Sequence, residues 1–178
     1  MMIRSLGTTP PEYTEGYVHT RWSDHRDRIE RTIRLAKALR PVTAADLAAG
    51  DGAVLDALDC PKQYGDIVPH PGWVAGPIEE TVRQVTPVDL FISTETLEHL
   101  VDPAQHLQDI RKVADRLLLS TPVHHEYDTD DANPEHLWMW DRDGLESLLV
   151  AAGWQVAAYM EVDYRSIGGY LTSLWVLT

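Results

Sequence analysis

One cysteine, Cys60, is the whole thiol content of the chain. That excludes an intramolecular disulfide and a Cys-rich zinc site, and it leads us to expect a reducing, cytoplasmic setting. Long apolar runs are missing too. No stretch approaches the roughly 18 residues of a membrane span, and the opening MMIRSLGTTPPEYTEGY lacks the core of a signal peptide, so a soluble chain without a membrane partner is expected. Basic residues are scarce: Lys and Arg number 15 against 28 Asp and Glu, a formal charge of −13. The mean field therefore repels a phosphate backbone, and long-duplex nucleic acid is excluded as a partner. A short single-stranded end held in one pocket escapes that argument. Internal repeats are absent, and the only biased segment is the acidic, His-bearing HHEYDTDDANPEH at 124–136.

What is present suffices for one core. At 178 residues and 44% hydrophobic content, the chain is expected to form a single domain over 1–178, with a lid or helix segment at 1–40 and a core at 41–178. After a loose, Pro-rich start, SDHRDRIERTIRLAKALR has apolar residues at helical spacing behind Ser23. VTAADLAAGDGAVLDAL runs from a short strand through a glycine turn into a helix start. KQYGDIV, WVAG, PVDLFIS and RLLLSTPV read as strands, the last two nearly continuous in apolar character, as doubly covered parallel strands should be. Asp102 with Pro103, and Asp141, mark two helix starts, and Gly153 marks a helix end. WQVAAYMEV and YLTSLWVLT close the chain as a hairpin. This rhythm predicts an α/β fold: a mostly parallel seven-stranded sheet, helices on both faces, a C-terminal antiparallel hairpin, and little helix between the second and third strands, where only VPHPG intervenes. Ligands then bind outside the carboxyl ends of the strands.

Two of those ends carry chemistry. In DLAAGDG, Gly50 and Gly52 let the backbone turn and approach a ligand, while Asp66 follows Asp46 by the offset at which a carboxylate takes ribose hydroxyls. A dinucleotide and an adenosyl sulfonium are both candidates; the loop is not the G-x-G-x-x-G of pyrophosphate binders, and Asp46 suits a ligand bearing an ammonium. In ETLEHLVDP, Glu95, Glu98 and His99 would share one face of a helical turn. Two carboxylates and an imidazole at one point call for a proton or a cation between them, and His136 in PEHLWMWD is the fourth donor available.

The run ADLAAGDG, YGDI, DLFISTETLEHLVDP, LLLSTP and LESLLVAAGW, over roughly 42–157, resembles the class I S-adenosylmethionine-dependent methyltransferases. The Glu-x-x-Glu-His pattern with its later His-x-x-x-Trp resembles the metal-dependent O-methyltransferases that act on the terminal 2′-hydroxyl of small RNAs, and its first half the ubiquinone-pathway enzymes. The resemblance implies a Rossmann-like methyltransferase fold and S-adenosylmethionine as cofactor, with Asp46, Ala48, Gly50, Gly52, Asp66, Ile78, Thr94 and Glu95 around it and Tyr17 and Trp22 in a lid. It also implies a divalent metal (Mn, Fe, Co or Zn, with Mg suited least) on Glu95, Glu98, His99 and His136. The substrate would be a hydroxyl-bearing small molecule or terminal nucleoside, with Glu95, His99 and His136 as the catalytic set. Related methyltransferases carry LEHL and DP without a metal, and then His99 or His136 is the general base. The sequence departs from the pattern around Pro77 and Ile78, where an acidic residue near the adenine is often found.

Several conspicuous residues have plain structural explanations. His124 and His125 suit a solvated loop; one of Trp138 and Trp140 suits the core; Cys60 suits a packed position. An aromatic and polar cluster of Tyr13, Tyr17, His19, Trp22, His25 and Arg26 marks the lid segment. Rival functions are a nicotinamide-dependent reductase, which the missing G-x-G-x-x-G disfavours, and a non-catalytic binding module on the same fold.

Overall fold

VDLFIS and RLLLS have the apolar continuity of strands covered on both faces, and they lie at the centre of the molecule. In the computed structural model, which describes residues 1–9, 12, 23–125, 128, 133–167 and 169–178, these segments are β5 (Val88–Thr94) and β6 (Ala114–Pro122). Around them stand β2 (Ala44–Asp46), β3 (Lys62–Asp66), β4 (Val74–Ala75), β8 (Val156–Asp163) and β9 (Leu171–Leu177), in the order β4-β3-β2-β5-β6-β9-β8. The first five are parallel; β9 runs antiparallel to both β6 and β8. The chain moves outward from β2 to β4, then crosses over to β5. The switch between β2 and β5 opens a crevice at the carboxyl ends, where ligands of such sheets bind.

Strand alternation divides the core in two. Leu90 and Ile92 of β5, Leu118 of β6 and Val176 of β9 pack with Ile29 and Ala36 of α1 (Ser23–Leu39) and Val54 and Leu55 of α2 (Ala53–Asp56). Phe91, Leu117, Leu119, Trp175 and Leu177 face the other way, onto Ile78 of α3 (Ile78–Thr81), Leu107 and Ile110 of α4 (Pro103–Val113) and Leu145 and Leu149 of α5 (Arg142–Ala151). Both α4 and α5 start where the sequence signals it. Asp102 accepts from the Gln105 amide at 2.9 Å with Pro103 behind it, and Asp141 accepts from the Gly144 amide at 2.7 Å. Arg116, early in β6, donates to the carbonyl of Leu39 at 2.9 Å. The C-terminus of α1 therefore lies at the amino ends of the strands, and its N-terminal turns lie over the carboxyl ends.

No helix joins β3 to β4, as the short VPHPG predicts. Trp73 fills the space instead, stacked on Tyr64 at 4.8 Å and beside His70 at 4.4 Å. The N-terminus differs from the loose start expected. Residues Ile3–Ser5 form β1, antiparallel to β7 (Trp138–Trp140). Three residues are too few to show a period, and the partner lies about 135 positions away, so propensity could not reveal the pairing. Tyr13, Tyr17, His19 and Trp22 of the expected lid lie outside the described residues. No described helix is long and apolar enough to cross a membrane.

Candidate functional site

On the α1 side, alternation brings Asp66, Asp46, Thr94 and Ser120 to the carboxyl ends of β3, β2, β5 and β6, four adjacent strands. Gly50 and Gly52 adopt φ of 58° and 79°, left-handed values that favour glycine. A Cβ on Gly52 would come within 3.2 Å of the Trp73 ring, so the glycine also admits that side chain. Asp66 takes the Gly50 amide at 2.8 Å on one oxygen and the Val68 amide at 2.9 Å on the other. Each oxygen keeps a second lone pair, so the carboxylate can pin the loop and still accept from a diol. Asp46 accepts from the Ala48 amide at 3.0 Å and is 3% exposed. Burial, aided by the charge of Asp66, pushes its carboxyl up to about 7, the behaviour of an acid lacking a cation. Ala48 borders this loop, whereas Ile78 packs in the core beyond the sheet.

Glu95 and Glu98 do not share a helical face. Glu95 has φ of 50°, and Leu97–His99 form a 3-10 turn rather than an α-helical one. The two hydroxyls that end β6 then send the carboxylates to opposite sides of the sheet. Ser120 Oγ, on the α1 side, donates to Glu95 Oε1 at 2.8 Å; Thr121 Oγ1, on the α4 and α5 side, donates to Glu98 Oε2 at 3.0 Å. Of the four expected metal ligands the structure gathers three. Potential ligand atoms of Glu98, His99 and His136 lie within 4.8 Å of one another, and Glu95 stands outside that group.

The three are held from behind. His99 Nδ1 lies 3.0 Å from the carbonyl of Glu135, which can only accept, so Nδ1 carries a proton, and Nε2 lies 3.9 Å from Glu98 Oε1. Asn133 receives the Glu135 amide on Oδ1 at 3.0 Å, so its amide nitrogen donates to His136 Nε2 at 3.1 Å and engages that lone pair. The Leu137 amide donates to the carbonyl of Glu98 at 2.8 Å and ties the His136 loop to the 3-10 turn. His136 also lies against His99 and Tyr170, at 5.0 and 5.4 Å between ring centroids. Glu98 is 1% exposed, and its Oε1 has no hydrogen-bond partner. Burial first, then the charge of Glu95, raises the Glu98 carboxyl well above the usual range.

Neither tryptophan is a free platform: Trp140 is fully buried with its indole N–H on the Pro122 carbonyl, and Trp138 donates to Leu100. His125 is exposed while His124 is half-buried beside Asp128, and Cys60 packs at the edge of the α1 core. Sequence reasoning missed Ser120 and Thr121, although LLLSTP shows an apolar strand ending in two hydroxyls. It also missed Arg28, which stands on the buried stripe of α1 with Ile29, Thr32 and Ala36.

No family model and no curated protein matches the chain. Solved structures do. A S-adenosylmethionine-dependent methyltransferase from Leishmania major superposes with a TM-score of 0.70 at 13% identity, over 88% of this chain and 74% of that one. The 1,6-didemethyltoxoflavin N1-methyltransferase of Burkholderia thailandensis, solved with its substrate and S-adenosylhomocysteine, gives 0.68 at 20% identity over 86% and 81%. The N-methyltransferase NodS of Bradyrhizobium japonicum, with S-adenosylhomocysteine, gives 0.68 at 14% over 89% and 88%. The chain has the Rossmann-like methyltransferase fold, with the antiparallel β6-β9-β8 ending.

Proposed function

We propose that the chain transfers a methyl group from S-adenosylmethionine to a hydroxyl oxygen of a small molecule or terminal nucleoside, beside a divalent cation held by Glu98, His99 and His136. The observation that carries the cation is that His99 Nε2 lies 3.9 Å from Glu98 Oε1, a buried carboxylate oxygen with no hydrogen-bond partner, in a group that His136 completes. Two lone pairs face each other stably only with a proton or a cation between them. Mixed imidazole and carboxylate donors suit Mn²⁺, Fe²⁺, Co²⁺ or Zn²⁺ better than Mg²⁺. Bound there, the ion would supply Lewis acidity that lowers the pKa of an acceptor hydroxyl. S-adenosylmethionine would supply a methyl on a cationic sulfur.

The chain's own groups orient both partners. Asp66 accepts from the ribose hydroxyls, the Gly50–Gly52 bend admits the adenosyl group, and Asp46 and Glu95 present negative charge on the donor side. Glu98, His99 and His136 face the acceptor from across the end of β6. Neighbouring structures include enzymes named for nitrogen acceptors, so the oxygen acceptor rests on the Glu-His-His group rather than on the fold. A second arrangement uses the same His99 tautomer, with Nε2 as a general base and no metal.

Calorimetry tests both halves. S-adenosylhomocysteine should bind the wild-type chain with micromolar affinity, and absence of heat at millimolar ligand would remove the donor. Mn²⁺ should bind at one site and be lost in Glu98→Gln and in His136→Ala. Unchanged Mn²⁺ affinity in both variants would reject the cation site and leave the general-base arrangement.

A further inference from the structure

The segment NPEH, at the end of the acidic, His-bearing stretch, folds as one tight turn. The His136 amide donates to the Asn133 carbonyl at 3.2 Å, and the Glu135 amide donates to Asn133 Oδ1 at 3.0 Å. Pro134 presets the first corner of such a turn, and an asparagine side chain closes it on the amide two residues on. The turn therefore places the Asn133 side chain beside the His136 ring and fixes which way its amide faces. With Oδ1 committed to an N–H, the amide nitrogen points at His136 Nε2, 3.1 Å away, and that nitrogen can only donate. Nε2 is then the acceptor of the ring. A neutral imidazole has one acceptor nitrogen and one N–H, so the proton of His136 sits on Nδ1. Neither ring nitrogen offers a lone pair to a cation in this arrangement: one is engaged by Asn133, the other carries hydrogen.

We propose that Asn133 is a latch on the cation site, holding His136 out of the ligand set until an ion displaces it; this assignment rests on the cation reading above. An ion taken through Nε2 must compete with the Asn133 amide for the same lone pair. An ion taken through Nδ1 requires the ring proton to pass from Nδ1 to Nε2, where the Asn133 N–H would then oppose it. Both routes break one hydrogen bond, in a ring that is 5% exposed and has little water to replace it. Asn133 is thus a positioning residue of unusual sign: groups that orient a ligand from behind raise metal affinity, whereas this one lowers it. The same turn does the reverse for His99. The Glu135 carbonyl takes the Nδ1 proton of that ring and turns Nε2 toward Glu98. One four-residue turn therefore readies one imidazole and holds back the other.

Two measurements test the latch. Nitrogen-15 imidazole spectra of the chelator-treated wild-type protein should show His136 with Nδ1 protonated and Nε2 as acceptor. A protonated Nε2 would overturn the assignment, since two N–H groups cannot share a bond. The second measurement is a calorimetric titration with Mn²⁺. In Asn133→Ser the hydroxyl can still close the turn on the Glu135 amide but is too short to reach the ring. This variant should bind Mn²⁺ about 2- to 10-fold more tightly than wild type, the worth of one neutral hydrogen bond. Equal or weaker binding would show that Asn133 only supports the loop, and the latch would fall. Binding by Asn133→Ser where wild type shows none would support it most strongly. Failure of both proteins to bind Mn²⁺, with melting curves that show them folded, would overturn the cation reading itself, and the latch with it.

Discussion

At the residue scale, the two hydroxyls that end β6 decide how the site is divided. Ser120 and Thr121 are adjacent in a strand, so their side chains leave opposite faces, and each fixes one glutamate. Thr121 is itself tied back: its carbonyl accepts from Ser173 Oγ at 2.9 Å, which in turn receives the Trp175 indole N–H at 2.8 Å. This buried chain holds Glu98 Oε2 and leaves Oε1 turned toward His99. Removing the Thr121 hydroxyl should therefore loosen the carboxylate without emptying the core. Thr121→Val is expected to lower Mn²⁺ affinity about 10- to 100-fold, the range typical of groups that orient a ligand from behind. Thr121→Ser, which keeps the donor, should stay near wild type in the same titration. Equal loss in both variants would assign the effect to packing.

Elements not obvious from the sequence hold that geometry in place. The Met2 carbonyl accepts from the Asp141 amide at 3.1 Å, and the Leu6 amide donates to Leu137 at 2.8 Å, so β1 straps the stretch that carries His136. Gly144 makes this close approach possible, since a Cβ there would overlap the Met2 carbonyl. Gly144→Ala must push β1 off β7. Overpacking of this kind costs about 1–3 kcal/mol, which for a chain of this size is a fall in Tm of roughly 2–12 °C. Calorimetric melting measures it, and an unchanged Tm would show that the strap carries no stability. On the other edge, Trp73 does the work of the missing helix by stacking on Tyr64, whose hydroxyl donates to Asp56 at 2.7 Å.

For the molecule as a whole, the buried acid Asp46 sets a pH dependence. Its folded pKa of about 7 lies above the ordinary 3.8, so between those values the folded chain holds a proton that the unfolded chain has lost. Stability should fall as pH rises through that window and level off above it, by about 4 kcal/mol in the limit of about three units. Asp27, Asp89, Asp109 and Asp141 have the opposite sign: partners hold their carboxyls below 3.8, and the stability they contribute is lost as pH falls through their folded pKa values. Buried Glu98, also raised, adds a decline of the same sign, while burial holds His106 down to about 4, so that it adds stability as pH rises toward 6.5. In urea unfolding from pH 5 to 8, Asp46→Asn, which keeps the oxygen facing the Ala48 amide, should therefore lose stability with rising pH less steeply than wild type. Parallel profiles for the two proteins would disprove the assignment to Asp46.

The sequence by itself determined the order of the seven strands of the main sheet and of the longer helices, the glycine bend with its two acids, and the short link between β3 and β4. These are local: an apolar run, a cap followed by proline or a glycine shows its physics within a few positions. It also put Glu98, His99 and His136 forward together. Only the tertiary structure decided that Glu95 parts from them, because the choice between an α-turn and a left-handed residue followed by a 3-10 turn depends on Ser120 and Thr121, some 23–25 residues away. The same holds for β1 on β7 and for Arg28 beside Glu95. Their partners are distant in the chain, and no pattern within one segment carries the energy of a contact made between two.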